Sequence, residues 1–498
     1  MAHFAVICSC CGQLGTGIIR PMDTQPLYLR VAHHYRGAIR AGVLPAGERM
    51  PSVRTLTRLH QVSLSTALQA CRSLEDEGLL EARPRSGYFV RVSRRAAIPP
   101  VSEPDTACAL DAAQYVGVHN RVSAFVTQSE RHVIATDFAA AYASADAYPA
   151  EALKNAAIRA LRRDPELLVR PVASQGDPSL RAVLARRALE SGMSLTADEI
   201  VVTQGCIEAL NIALRAVAQP GDTIAVESPT YYGLLQVLES LGLRALEIPT
   251  SPHSGLSIEA LELALQTQAP IKAVVVVPNF QNPLGCVMPD DHKQRLVQLC
   301  ERHEVAVIED DTYSALTADG VPLKAVKAWD RTGNVIHCAS LRKTLAPGMR
   351  LGWISGGRWH ARVQMLKFAQ SRANDALGQL STAEFIASSA YDRHLARLRR
   401  LLKTQREQMA EGIAACFPAG TRLSVPDGSL MLWVELPEAR SAQAVFEAAL
   451  QQGIRVAPGT LFSNSGRFDH FLRMSCGFAF SAQAEQALRQ LGRIVSSA

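Results

Sequence analysis

The 498-residue chain has no apolar run approaching the roughly 18–20 residues that span a bilayer, so a transmembrane helix is excluded. It also has no cysteine framework. Eleven cysteines are scattered, an odd number, most of them in helix- or strand-like surroundings (Cys71, Cys206, Cys300, Cys338), which points to a reducing cytoplasm rather than a disulfide-built secreted fold. Cys8, Cys10 and Cys11 have only His3 nearby and no second cluster at zinc-finger spacing, so no metal site is expected. The first residues lack the basic start and long apolar stretch of a signal peptide. Residues 1–24 are expected to be a disordered tail, or a stretch upstream of the natural start with Met22 as the alternative initiator. No internal repeat is present. Lysine is missing altogether between Gln25 and Arg95, although that stretch carries 12 arginines.

What is there describes a protein that folds as more than one unit. Hydrophobic residues make up 48% and charged residues 20%, and the length is ample for two or three cores. With only five acids against its 12 arginines, the segment Gln25–Arg95 carries net +7, while the whole chain carries +6. The remainder is therefore close to neutral, and such asymmetry points to a polyanionic partner for this module. Its pattern predicts a winged helix-turn-helix. Tyr28, Ala32, Tyr35 and Ile39 recur at helical spacing up to Gly42. A second helix runs from Ser52 to His60 with Val53, Leu56 and Leu59 facing inward. Ser63 then caps a third helix to about Glu77. Two β-like runs, Leu79–Arg83 and Tyr88–Val92, flank the hairpin tip Pro84-Arg85-Ser86-Gly87.

The other informative stretch is A-S-L-R-K-T-L-A-P-G-M-R-L-G-W, Ala339 to Trp353, with Ser340, Lys343 and Arg350 inside eleven residues. A partly desolvated lysine amine condenses with an aldehyde, and a serine and an arginine at this spacing can share one phosphate. An aldehyde cofactor with a phosphate tail, pyridoxal 5′-phosphate, has that chemistry. Residues 305–313 (V-A-V-I-E-D-D-T-Y) end a buried-strand run in carboxylates, and a carboxylate such as Asp310 holds a pyridine nitrogen protonated. Residues 274–285 carry Asn282-Pro283, whose amide can donate to a phenolate.

In this order the motifs resemble the fold-type I pyridoxal phosphate enzymes of the aspartate aminotransferase superfamily, over roughly residues 136–498. The resemblance implies an α/β fold with a mostly parallel sheet in a large lobe and a smaller C-terminal α/β lobe. It makes Lys343 the cofactor lysine, with Asn282, Asp310 and Tyr313 around the ring and Tyr231 of E-S-P-T-Y-Y-G stacked on it. Ser340, Arg350 and the helix start at Gly205, Cys206 and Ile207 would hold the phosphate. The family usually has Ser-Gln where this chain has Cys206-Ile207, so contacts there are expected from backbone alone. Arg342 replaces a commonly small residue; it could strengthen phosphate binding, lower the lysine pKa or face solvent. Arg473, at a strand end in F-L-R-M-S, takes the α-carboxylate of an amino acid in the family.

Residues 25–92 resemble the DNA-binding domain of GntR-type regulators, through L-P-A-G-E-R-M-P-S-V-R, V-S-L-S-T and E-G-L-L-E-A-R-P-R-S-G-Y-F-V. The resemblance gives DNA contacts to Arg54 and to Ser63, Ser65, Thr66 and Gln69 of the third helix. It places Arg83 and the tip Arg85-Ser86-Gly87 at the minor groove. Leu64 and Leu68 stand where basic residues are usual. Residues 93–135, rich in proline and small residues, read as a linker with one helical patch near Val116–Val126. A basic face on the helix Tyr391–Ala415 (Arg393, Arg397, Arg400, Lys403) reads as solvated. A GntR-type head before an aminotransferase-like body is the architecture of the MocR subfamily of regulators. That resemblance implies a cytoplasmic homodimer on double-stranded DNA that answers to an amino compound or to pyridoxal phosphate. The alternative is an active aminotransferase with a fused DNA-binding head.

Overall fold

The computed structural model describes residues 26–40, 42–45, 47–76, 79–83, 86–90, 98–105, 110–268, 270–437 and 440–497. The tail with Cys8, Cys10 and Cys11, and Pro84, Arg85 and Glu77, lie outside the described residues. The chain divides into two units, Met1–Ser93 and Arg94–Ala498.

In the first unit three helices, Leu27–Arg40, Val53–His60 and Leu64–Asp76, precede an antiparallel hairpin of Leu80–Arg83 with Gly87–Val90. Ser52 starts the second helix by accepting the Thr55 N–H at 3.2 Å. Gln61, in the left-handed conformation at φ 50°, ends it. Ser63 accepts from the Thr66 N–H at 3.1 Å and opens the third helix. The spacing of Ala67, Ala70, Cys71 and Leu74 puts one face of that helix into a core with Val31, Ala32, Tyr35, Leu56, Leu80 and Val90. The expectation for Leu59 fails. Leu56 fills the inward line of this two-turn helix, and Leu59, beyond that contact, is 63% exposed.

The second unit is built on a mixed sheet. Its strand order is Gln114–Tyr115, Arg244–Ser251, Thr223–Ser228, Ile271–Val276, Ala306–Asp310, Val335–Ser340, Gly352–Ser355 and Val201–Thr203, with the short Gly255–Leu256 paired to the second of these. The five strands from Arg244–Ser251 to Val335–Ser340 run parallel, and Gly352–Ser355 is antiparallel to both its neighbours. Ala306–Asp310 is buried along its whole length, as helix-covered parallel strands are. Gly352 is required where it stands: a Cβ there would lie 2.5 Å from the Ala339 carbonyl and 2.8 Å from the Gly205 backbone. A smaller lobe carries a four-stranded antiparallel sheet, Arg422–Ser424, Met431–Glu435, Phe471–Ser475 and Ala457–Pro458. Its core joins Leu432, Val434, Phe446, Leu472 and Leu488.

The segment read as a linker is not one. From Val101 onward it packs on the large lobe, with Val101, Val116, Val118 and Val122 in the main core, the edge strand Gln114–Tyr115 and the helix His119–Glu130. Single valines spaced among prolines and small residues carry no period, so this burial depends on a lobe distant in sequence. On the helix Ser389–Cys416, Arg393, Arg397 and Arg400 are exposed, as expected for a solvated face, although Arg397 also donates to the Ala147 carbonyl at 2.7 Å; buried Arg406 donates to the Ser429 carbonyl at 3.0 Å. Among the described residues no helix is long and apolar enough to cross a membrane, and no His/Cys/Asp/Glu cluster could hold a metal ion.

Candidate cofactor cavity and DNA-reading head

The carboxyl ends of the parallel strands open onto a cavity of about 280 Å³. Each sequence element delivers one group to it. Asp310 ends a strand, Ser340 ends the next, and Lys343 follows in the turn after it. Gly205, at φ 79°, opens the helix Cys206–Val217. Tyr231 precedes the helix Tyr232–Ser240, and Asn282 sits in the loop after Ile271–Val276. Arg473 comes from the middle of a small-lobe strand, Phe471–Ser475, rather than from the strand end expected, because the strand runs on to Ser475. All of these, with Ile207, Tyr313 and Arg350, line the same space.

The electrostatics follow from burial. Lys343 Nζ donates to the Ala141 carbonyl at 2.5 Å. Burial lowers its pKa to about 7, with Arg342 and Arg473 adding to the effect and Asp310 opposing it. Asp310 is pushed up by burial and pulled part of the way back by two donors on one oxygen, Thr312 Oγ1 at 2.5 Å and Cys206 Sγ at 3.1 Å. The Cys206 side chain is thus engaged by the carboxylate, which leaves its backbone N–H as the group available to a phosphate. Its thiol is held well above the usual range by burial and by Asp310. Arg473 is 2% exposed; it donates to the Ala139 carbonyl at 2.6 Å and to Asn282 Oδ1 at 3.3 Å, and its Nε has no partner. Asn282 Nδ2 lies 3.5 Å from the Tyr313 hydroxyl. Arg350 is exposed, in the left-handed conformation at φ 49°. A half-neutral amine, a buried carboxylate, a helix start beside Ser340 and an orphaned guanidinium donor form a donor set that fits a phosphorylated pyridine aldehyde.

In the head, Arg54, Ser63, Ser65 and Gln69 are exposed and Thr66 is half-buried. Ser63 Oγ lies 2.8 Å from both Ser65 Oγ and Thr66 Oγ1, so these hydroxyls form one cluster at the helix start. Arg83 pairs with Glu81 at 2.6 Å and lies 4.3 Å over the Phe89 ring, which holds it along the wing. The Ser86 N–H closes the tip on the Arg83 carbonyl at 2.9 Å, and Gly87 has φ 100°. Sequence reasoning missed Arg49. A Cβ at Gly87 would lie 3.7 Å from its guanidinium, so this arginine runs beside the wing tip.

Comparison with known proteins decides what this combination is. Residues 140–491 match the aminotransferase class I and II family, and residues 27–90 match the bacterial regulatory proteins of the gntR family. The chain is 36% identical to the HTH-type transcriptional regulator YjiR of Escherichia coli (strain K12), over 92% of this chain and 96% of that protein. It is 27% identical to the "Probable rhizopine catabolism regulatory protein MocR" of Rhizobium meliloti, over 87% of this chain and 86% of that one. The chain belongs to the MocR-type GntR regulators. Its body resembles Pyrococcus horikoshii kynurenine aminotransferase, solved with the cofactor form PMP, at a TM-score of 0.70 and 25% identity over 76% of this chain and 94% of that one. This MocR-type regulator thus pairs a DNA-binding head with a body of the pyridoxal phosphate-dependent class.

The MocR-type body holds one more group that sequence reasoning passed over. Glu227, the first residue of the E-S-P-T-Y-Y-G motif, is 1% exposed. Its Oε2 accepts from the Val277 N–H at 3.1 Å and from Gln281 Nε2 at 3.2 Å, while Oε1 is buried without a partner. Gln281 Nε2 also reaches the Pro229 carbonyl at 2.7 Å, so the pair ties the Tyr231 loop to the Asn282 loop. Burial pushes the Glu227 carboxyl up to about 8. A raised carboxyl contributes stability below its unfolded pKa of about 4.3 and loses it as pH climbs through 8. Glu227→Gln should therefore remove a decline of a few kcal/mol from the denaturation free energy of the body between pH 5 and 8. Parallel pH profiles of wild type and variant would contradict this.

Proposed function

We propose that the chain is a ligand-gated transcription regulator whose body binds pyridoxal phosphate on Lys343 and senses an amino compound or the cofactor itself. Bound there, the cofactor supplies an aldehyde and an electron-accepting ring. Asp310 provides the counter-charge to the ring nitrogen, and Asn282 and Tyr313 donate toward the phenolate. Tyr231 covers the ring. Ser340, Arg350 and the amides at Gly205, Cys206 and Ile207 bind the phosphate, and Arg473 takes a carboxylate of the effector. Two bodies assemble as a homodimer, and the paired heads read two half-sites through Arg54, Ser63, Ser65, Thr66 and Gln69, with Arg83, Arg85, Ser86 and Gly87 at the wing. Differential binding of the effector to two arrangements of the dimer shifts the heads on the promoter. The observation that carries this reading is the pairing of Arg473, its Nε unpartnered, with Lys343 in one cavity of a chain that also bears the head.

Two substitutions separate its halves. Arg54→Ala should weaken promoter binding and flatten the salt slope by about one unit, without touching the cofactor's absorbance. Arg473→Ala should leave ligand-free promoter binding near normal and abolish the response to an amino compound. A wild-type protein that binds no promoter at any salt concentration would overturn the reading. The second reading, a working aminotransferase, is favoured by the lowered pKa of Lys343, which suits an amine acting near neutral pH. Amino-group transfer at roughly 1–10³ per second would establish it.

A further inference from the structure

Charge in the cavity is unbalanced. Arg342, Lys343, Arg350, Arg455 and Arg473 line it against a single carboxylate, Asp310. Arg455 is spoken for, since it pairs through two nitrogens with Asp137. If the cavity holds pyridoxal phosphate and an amino acid, as proposed above, Arg350 and the helix start meet the phosphate and Asp310 meets the ring nitrogen. Arg473 then meets one carboxylate, and Lys343 is already half neutral near pH 7. Arg342 is left over. Its Nε is buried with no partner, and among the described residues no carboxylate pairs with it.

The position of Arg342 separates it from the phosphate end. Its guanidinium lies 5.7 Å from the centre of the Tyr142 ring. Tyr142 ends the segment Ala139–Tyr142, whose carbonyls receive Arg473 (at Ala139) and Lys343 (at Ala141). Ser340 faces the other way, toward the helix start: its Oγ would lie 3.9 Å from a Cβ on Gly205. Arg342 thus stands on the wall shared by the reacting amine and the carboxylate arginine.

We infer that the effector is a dicarboxylic amino acid, one carboxylate on Arg473 and the second on Arg342. A guanidinium holds a carboxylate through paired charge-assisted hydrogen bonds, whereas an isosteric amide leaves one donor facing another and carries no charge. The inference rests on the cavity taking pyridoxal phosphate and an amino acid, and goes further by naming the class.

The test uses the full-length protein loaded with pyridoxal phosphate. It is titrated with L-aspartate and L-glutamate, and with L-asparagine and L-glutamine as isosteric amides, following the cofactor's visible absorbance. One acid should bind about ten- to a hundred-fold more tightly than its own amide. Arg342→Gln should bring that ratio close to one with unchanged cofactor occupancy, and Arg342→Lys should restore part of it. Arg473→Ala should weaken acid and amide alike. Equal binding of acid and amide by wild type overturns the inference while leaving the regulator reading intact. So does an Arg342→Gln protein that loses cofactor but keeps the preference, because Arg342 would then belong to the phosphate. A wild type that takes up no pyridoxal phosphate removes the regulator reading, and the inference with it.

Discussion

Lys343→Ala should remove the visible absorbance expected of the wild-type protein with pyridoxal phosphate, with no other lysine taking its place. Among the described residues, Lys343 is the only lysine that lines the cavity. The other buried amines are committed elsewhere: Lys293 to Asn279 and the Lys324 carbonyl, Lys327 to Asp330 and the Val335 carbonyl, and Lys367 to Glu208 and Asn374. The same substitution has a second effect on cofactor-free protein. Burial holds Lys343 at about 7, against an unfolded value of about 10.4, so the unfolded chain binds the extra proton between those values. Stability of the cofactor-free wild type is therefore penalised in full below pH 7 and recovers as pH rises toward 10. Lys343→Ala should abolish that recovery and be more stable at neutral pH by on the order of a few kcal/mol. Titration of wild type and variant by denaturant, free of cofactor, measures both. A wild type that stays colourless with added pyridoxal phosphate, or a variant that keeps the band, would refute the assignment.

The second large effect lies in the head. Leu56 is fully buried in a core of eleven side chains. Truncating a buried leucine to alanine costs roughly 2–5 kcal/mol, and a domain of about 65 residues has only some 3–10 kcal/mol of stability in all. Leu56→Ala should therefore abolish promoter binding at growth temperature, while the body keeps its melting transition and its cofactor absorbance. Leu59, three residues on and 63% exposed, is the control: Leu59→Ala should change head stability by less than about 0.5 kcal/mol. Equal effects of the two substitutions would mean that the second helix packs differently from the way described.

That contrast also marks where pattern reading stops. Leu56 and Leu59 are equivalent by helical spacing, and only the extent of the neighbouring surface tells them apart. The valines of 101–122 show the same limit, since their burial is supplied by a lobe that begins far along the chain. Cys206 was expected to meet a phosphate through its backbone alone, and nothing local in the sequence says what its thiol does. The strand end at Asp310, 104 residues away, makes it a hydrogen-bond donor. Glu227 drew no notice beside Tyr231 because a glutamate in a loop motif is ordinarily solvated, and its burial depends on a loop brought across by another strand.

Sequence alone determined the two-part architecture, the arginine-rich head without lysine and the caps Ser52 and Ser63, while the resemblance to the aminotransferase family marked Lys343, Asp310, Asn282, Tyr231 and Arg473 as the groups to watch. These are local matters, because turn chemistry, helical period and strand-end residues are written within a few positions of one another. Tertiary structure decided what those groups are worth. The lowered pKa of Lys343 and the raised pKa of Glu227 come from desolvation by side chains far apart in the sequence, and the unpartnered nitrogens of Arg342 and Arg473 from how those side chains pack. Desolvation acts through space and falls off within a few ångströms, so it is fixed only when the lobes close on the cavity.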